Sequence, residues 1–303
     1  MSRSTFETPA PIAVVLDLYV AQVRFAASDR TDTVVEVRPS DPDKPADVRA
    51  AENTRVEYDE TTRTLGVVTR KPLNRFVNFS SRRPESVDVL IQLPAGSDVR
   101  GEADLGDFDA EGALGTVQLK NDVGAVHLAA TGSVNLRNGV GRVVVDQVNG
   151  NAQIHTGSSD ISVGSVDGTA DVTNGNGRIQ IGLLAGPAGV RGSNGSVHVE
   201  RAFADITAAS ANGEVRIGEV VRGKVSATTK NGSVHVGVRH GSAALLDLHT
   251  TVGRVHNALA AAAAPDAAAA GTAAATADRL DIHAETKLGD VTIHRTPALK
   301  EQV

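Results

Sequence analysis

The sequence predicts an all-β protein: a parallel β-solenoid (β-helix) of ~18-residue, two-strand coils with an N-terminal β cap. Three observations carry the prediction. A small residue recurs at Gly106, Gly124, Gly141, Ser159, Gly177, Gly195, Gly213, Gly232 and Gly253, in steps of 18, 17, 18, 18, 18, 18, 19 and 21 residues. After each landmark an apolar pair alternates with outward residues, as in Val126/Leu128, Ile161/Val163, Val197/Val199 and Val234/Val236. Midway to the next landmark a second pair follows, among them Val117/Leu119, Val134/Leu136, Ala170/Val172, Val225/Ala227 and Leu246/Leu248.

Residues 1–100 lack this repeat. Alternating segments at Val14–Val20, Thr33–Val37, Thr54–Tyr58, Leu65–Thr69 and Val87–Leu93 predict strands, separated by turn-rich loops such as Pro39–Pro45. They are read as a β cap, because an open solenoid end exposes unpaired backbone. Residues 101–297 form the solenoid domain. Its coils are too short for the crossover helix that parallel strands ordinarily need. Asn-Gly steps at 194–195 and 212–213 also resemble hairpin turns, but hairpins do not repeat one landmark through nine coils. An Ala-rich, low-complexity insertion at 258–277 is read as a loop bulging from one coil, since Leu246-Asp-Leu-His249 before it matches Leu280-Asp-Ile-His283 after it. The coil at Asp290–His294 is then the terminal one.

The corners carry a polar signature. Asn176, Asn194, Asn212 and Asn231 precede their landmark glycines in four consecutive coils, and Asn121, Asn138, Thr156 and Asn174 stand three residues before theirs. Asn and Gly both tolerate the left-handed backbone of a sharp corner, and coils ~4.8 Å apart let one Asn amide bond the next, so both rows are read as structural ladders.

Composition narrows the function. Hydrophobic residues make up 41% and aromatics 3% with no Trp, so the core is aliphatic. A net charge of −6 gives no reason to expect nucleic acid, and the absence of Cys removes disulfides and thiolate chemistry. Ile12–Val20 is broken by Asp17 and reads as a strand rather than a signal core, and no stretch reads as a membrane span, so a cytoplasmic protein is expected. Asn174-Gly-Asn-Gly-Arg-Ile179 has Arg and Ile where a calcium β-roll needs a carboxylate, and it lacks the third glycine of a dinucleotide fingerprint.

Four clusters remain. His127, His198, His235 and His256 share one outward position, with His235 and His256 as expected neighbours, yet Arg216 alongside opposes a cation there. Asp247, His249, Asp281 and His283 form the nearest thing to an active constellation, open to a polysaccharide-active reading; only Phe108 and Phe203 supply rings in the repeats. The third cluster is the Asn row itself. The fourth is basic: Arg63, Arg70, Lys71, Arg75, Arg82 and Arg83 lie between Glu60 and Glu85 without an acid, interleaved with Phe76 and Phe79, a possible partner-binding segment. No catalytic residue, metal site or cofactor is expected.

Phe6-Glu-Thr-Pro-Ala-Pro-Ile12, Thr33-Val-Val-Glu-Val-Arg-Pro39, Leu93-Pro-Ala-Gly-Ser97, the Asn-Gly-x-Val repeats and Gly289-Asp-Val-Thr-Ile-His-Arg295 together resemble the bacterial "putative adhesin" family of β-strand-repeat proteins, across nearly the whole chain. That resemblance implies the solenoid fold and supplies no catalytic residues, the family being a domain of unknown function. The expected function is a non-enzymatic interaction or scaffold protein that binds a protein partner. The alternatives are self-association like that of bactofilins and a polysaccharide-active β-helix enzyme.

Overall fold

Alternating Val, Leu, Ile and Ala favour extended chain, and the computed structural model, which describes residues 2–69, 85–259 and 279–296, is all-β with one helix among the described residues. Most strand pairs are parallel. The chain divides into two compact units, Met1–Ser159 and Asp160–Val303.

The first unit contains β1 (Ser2–Glu7), β2 (Ala13–Ser28), β3 (Asp32–Pro39), α1 (Pro45–Asn53), β4 (Arg55–Asp59), β5 (Thr64–Val68), β6 (Val87–Pro94), β7 (Asp98–Val123), β8 (Val126–Val148) and the start of β9 (Ala152–Val166). Strand β2 runs along two faces. Ala13–Asp17 pairs in parallel with β5 and with the start of β7, whereas Ala21–Ser28 pairs in parallel with β6. The strand that comes early in sequence therefore lies between β5/β6 and β7. Outside it, β4 adds to β5, β3 to β6 and β1 to β3, all antiparallel. The exposed residues of β1 and β4 include Arg3, Glu7, Arg55, Glu57 and Asp59, charges that blunt an edge strand.

Helix α1 was not expected from the sequence. It begins at Pro45, the last residue of the stretch read as a loop, where a missing N–H costs nothing. Its buried Asp47 anchors it, lying 2.8 Å from Lys44 Nζ and accepting the Ser86 N–H at 3.1 Å.

The second unit continues through β10 (Ala170–Asn176), β11 (Ile179–Leu184), β12 (Ala188–Asn194), β13 (Val197–Ala202), β14 (Ile206–Asn212), β15 (Val215–Val220), β16 (Gly223–Asn231), β17 (Val234–Val238), β18 (Ala243–Val252), β19 (Val255–Asn257), β20 (Arg279–Leu288) and β21 (Val291–Arg295). Alternate strands pair in parallel. Ala170 sits opposite Ala188, Ala188 opposite Ile206, and Ile206 opposite Val225. On the other ribbon Ile179 faces Val197, Val197 faces Val215, and Val215 faces Val234. The inward side chains of these strands, Val172, Val190, Ala208 and Ala227 on one ribbon and Ile181, Val199, Ile217 and Val236 on the other, are fully buried.

The end of the unit departs from sequence order. Strand β20 lies between β16 and β18, and β21 between β17 and β19. The terminal position expected for Asp290–His294 is thus incorrect, because Val291 and Ile293 are fully buried and paired on both sides. Gly289, not Gly253, is the landmark that follows Gly232 in space: a Cβ on Gly289 would meet the Gly232 carbonyl oxygen at 2.1 Å, and one on Gly253 would meet that of Gly289 at 1.9 Å.

The corners explain the landmark. Gly195, Gly213 and Gly232 have φ of +143°, +152° and +144°, and each packs its Cα against the carbonyl of the landmark before it. Asn at the preceding position does not share this backbone, because Arg63 is the one non-glycine residue with positive φ among the described residues. The Asn residues serve through their side chains instead.

Candidate functional site

Parallel pairing in register places outward residues of successive strands side by side, so each outward position becomes a row across the sheet. In the first unit one such row reads Arg3, Glu36, Leu90, Arg24, Asp109 and His127. Its charges alternate. Arg3 Nε lies 3.7 Å from Glu36, Arg24 Nε lies 3.7 Å from Asp109, and His127 joins Asp109 through Nδ1 at 2.8 Å and Asp146 through Nε2 at 3.4 Å. The hydrogen bond to Asp109, reinforced by Asp146 and opposed by partial burial, raises the His127 pKa above its ordinary value. A cleft of about 330 Å³ opens beside this row, between Arg24, Arg38, Glu36, Asp88 and Asp107.

In the second unit a row on the other ribbon reads Asp171, Gly189, Thr207, Ser226, His283 and Asp247. Small residues make its centre a shallow trough of about 590 Å³, with Lys224, Asp281 and His283 toward one end. His283 Nδ1 lies 2.8 Å from Asp247 Oδ2, and its Nε2 lies 3.7 Å from Glu285. The sequence alignment of Leu246–His249 with Leu280–His283 was two residues out: Leu246 pairs with Ile282, so Asp247 faces His283 and His249 faces Glu285.

A Ser226–His283–Asp247 row suggests a hydrolytic triad, yet its Ser–His link is missing. No hydrogen bond joins the Ser226 hydroxyl to His283 among the described residues, and the His283 ring nitrogen Nδ1 is taken up by Asp247 at 2.8 Å. The arrangement can recognise polar groups. His235 and His256 do not touch as a ligand pair, because Thr292 lies between them. Burial lowers the His235 pKa, with Arg216 and His294 adding to the effect against Glu214 and Asp290. No group of three metal-ligating side chains converges among the described residues.

The corner rows are hydrogen-bonded from layer to layer. Asn194 donates to Asn176 at 2.9 Å, Asn212 to Asn194 at 2.8 Å and Asn231 to Asn212 at 2.7 Å. In the next two layers the same position holds Leu288 and Val252. Three residues before six of the landmarks, a side chain clasps the carbonyl of the preceding landmark: Asn121 on Gly106, Asn138 on Gly124, Ser210 on Gly195, Thr229 on Gly213, Thr286 on Gly232 and Thr250 on Gly289. The sequence reading of this position stopped at Asn121, Asn138, Thr156 and Asn174, so the Ser and Thr members of the later coils were missed.

Of the basic segment, Arg70, Lys71, Arg75, Phe76, Phe79, Arg82 and Arg83 lie outside the described residues. Arg63 is described: it is exposed, in the turn between β4 and β5, and its carbonyl accepts the Ala13 N–H at 3.0 Å. Most of the Ala-rich insertion is likewise outside them. The outward rows went unread for a different reason, since Arg24 and Asp109 meet only through pairing of strands far apart in sequence. The trough was legible: Gly189, Thr207, Ser226, His283 and Asp247 each stand six residues before a landmark glycine.

A family model described as Toastrack DUF4097 matches residues 13–294. Among solved structures, a "putative adhesin" from Bacteroides fragilis is similar at 12% identity with a TM-score of 0.39, covering 96% of each chain. A "putative adhesin" from Parabacteroides merdae shows 11% identity and a TM-score of 0.36 over 98% of this chain and 96% of its own. A "putative lipid binding protein" from Parabacteroides distasonis shows 9% identity and the same score over 98% and 96%. No curated protein matches the chain.

Proposed function

This chain belongs to the Toastrack DUF4097 family, and from that premise we propose that it is a non-enzymatic interaction protein, a β-solenoid that holds a protein partner against its outer face. The reading takes the ~18-residue coil as the building unit, residues 1–100 as an N-terminal β cap, 101–297 as the solenoid and the Asn176–Asn231 row as a ladder that stiffens one corner. The observation that carries it is the trough over Gly189, Thr207 and Ser226, a groove with small residues at its floor and charged residues at its end, on rigid neighbouring strands. Rigid, periodic surfaces of this kind suit an extended segment of another protein, since little ordering entropy is lost on the receptor side.

Filling the trough tests the reading. Thr207→Trp with Ser226→Trp points two bulky side chains outward and leaves the core untouched. Affinity capture from the native cell with the full chain should recover a partner that the double variant loses, while both keep the same circular dichroism and melting temperature. Equal recovery by the two proteins, or no partner for the wild type, overturns it.

A further inference from the structure

The described edge of the second unit is β18, which pairs on one side with β20 and on the other with nothing among the described residues. Unlike the charged edge strands of the first unit, it is mainly apolar. Inward Leu246 and Leu248 are only half-buried, whereas their neighbours Ile282 and Ala284 are fully buried. Four exposed aliphatic residues gather in these last two layers: Leu245 at 56%, Val252 at 59%, Val255 at 45% and Leu288 at 52%. An apolar strand with free N–H and C=O groups is a template for another strand.

We infer that the occupant is a second copy of this chain, pairing β18 with β18 antiparallel about a two-fold axis through Leu248. Charge and pattern select that register. With Leu248 opposite its own copy, Asp247 of each chain faces His249 of the other, Leu246 faces Thr250, and Leu245 faces Thr251. Moving the axis to Asp247 sets two carboxylates against each other, and moving it to His249 does the same with two imidazoles. A register centred between residues puts inward side chains opposite outward ones, which the half-buried leucines exclude. The contact is isologous, so it closes at a dimer instead of growing into a filament. It uses none of Gly189, Thr207 and Ser226 on the trough floor, although Asp247 belongs to both rows.

The chain has no cysteine, which makes the test direct. Sedimentation of the full chain should show twice the monomer mass at high concentration, and Leu248→Cys should form a disulfide-linked dimer under mild oxidation because opposed Cβ atoms lie about 5 Å apart. Thr251→Cys should not, its two thiols being about 20 Å apart. His249→Asp should weaken the dimer about tenfold or more, whereas His249→Arg keeps it. A wild type that stays monomeric, association that grows beyond a dimer, or equal crosslinking at 251 and 248 overturns the inference.

Discussion

Gly213 shows how much of the architecture rests on one missing methyl group. Its φ is +152°, and a Cβ there would lie 2.1 Å from the carbonyl oxygen of Gly195, backbone that cannot move aside without shifting a whole layer. Gly241 also has positive φ, +89°, but nothing lies within 4 Å of its would-be Cβ. Gly241→Ala should therefore cost only backbone strain, about 1–2 kcal/mol, and Gly213→Ala should cost clearly more. Denaturant unfolding of both variants checks this; equal losses would show that the close approach does not matter. Read from sequence alone, Asn212 and Gly213 seemed to share a left-handed corner. The structure divides the work, with the backbone turn at the glycine and the layer-to-layer hydrogen bond at the asparagine. Composition gives no way to separate these roles, since both residues favour the same turns.

At the scale of elements, sequence order and spatial order part company where β20 and β21 enter between earlier strands. The alternation of Leu280, Ile282 and Ala284 announced a strand, but nothing in a strand's own pattern states which neighbour it takes. The corner hydrogen bonds hold the answer. Thr286 lies three residues before Gly289 and clasps Gly232, and Thr250 lies three before Gly253 and clasps Gly289, so the order 232, 289, 253 is written in hydrogen bonds. Hydrogen exchange on dilute, monomeric protein provides the check. Amides of β20 and β21, paired on both sides, should exchange among the slowest, and those of β18 and β19 well before them, although β21 is the last described strand. Faster exchange in β21 than in β19 would refute the order. Helix α1 was illegible for a simpler reason. Nine residues with two buried positions, Asp47 and Ala51, leave almost no apolar stripe, and its anchoring partner Ser86 lies beyond a long excursion of the chain.

At the scale of the molecule, the two units carry histidines that respond to pH in opposite directions. In the first, His127 has a pKa raised above its ordinary value of 6.5, chiefly by the hydrogen bond to Asp109. The folded state therefore favours the proton, and the stabilisation is complete below the ordinary value and lost as pH rises through the raised one. In the second, His235 has a pKa lowered from 6.5, chiefly by burial, which outweighs the attraction of Glu214 at 3.7 Å. Its contribution is present above the ordinary value and is lost as pH falls through the lowered one. Other carboxylates titrate over the same range, so the comparison belongs between each variant and the wild type. The melting-temperature gap between wild type and His127→Gln should be wider at about pH 5.5 than at about pH 8.5, and the gap for His235→Gln should be wider at about pH 8.5. Two gaps that widen in the same direction would contradict the assignment of hydrogen bonding to one histidine and burial to the other. The sequence placed both at one outward position of the repeat and so treated them alike. What separates them is their surroundings, carboxylates hydrogen-bonded on both sides of His127 and deeper burial at His235, and those surroundings are set by strand pairing, not by the repeat itself.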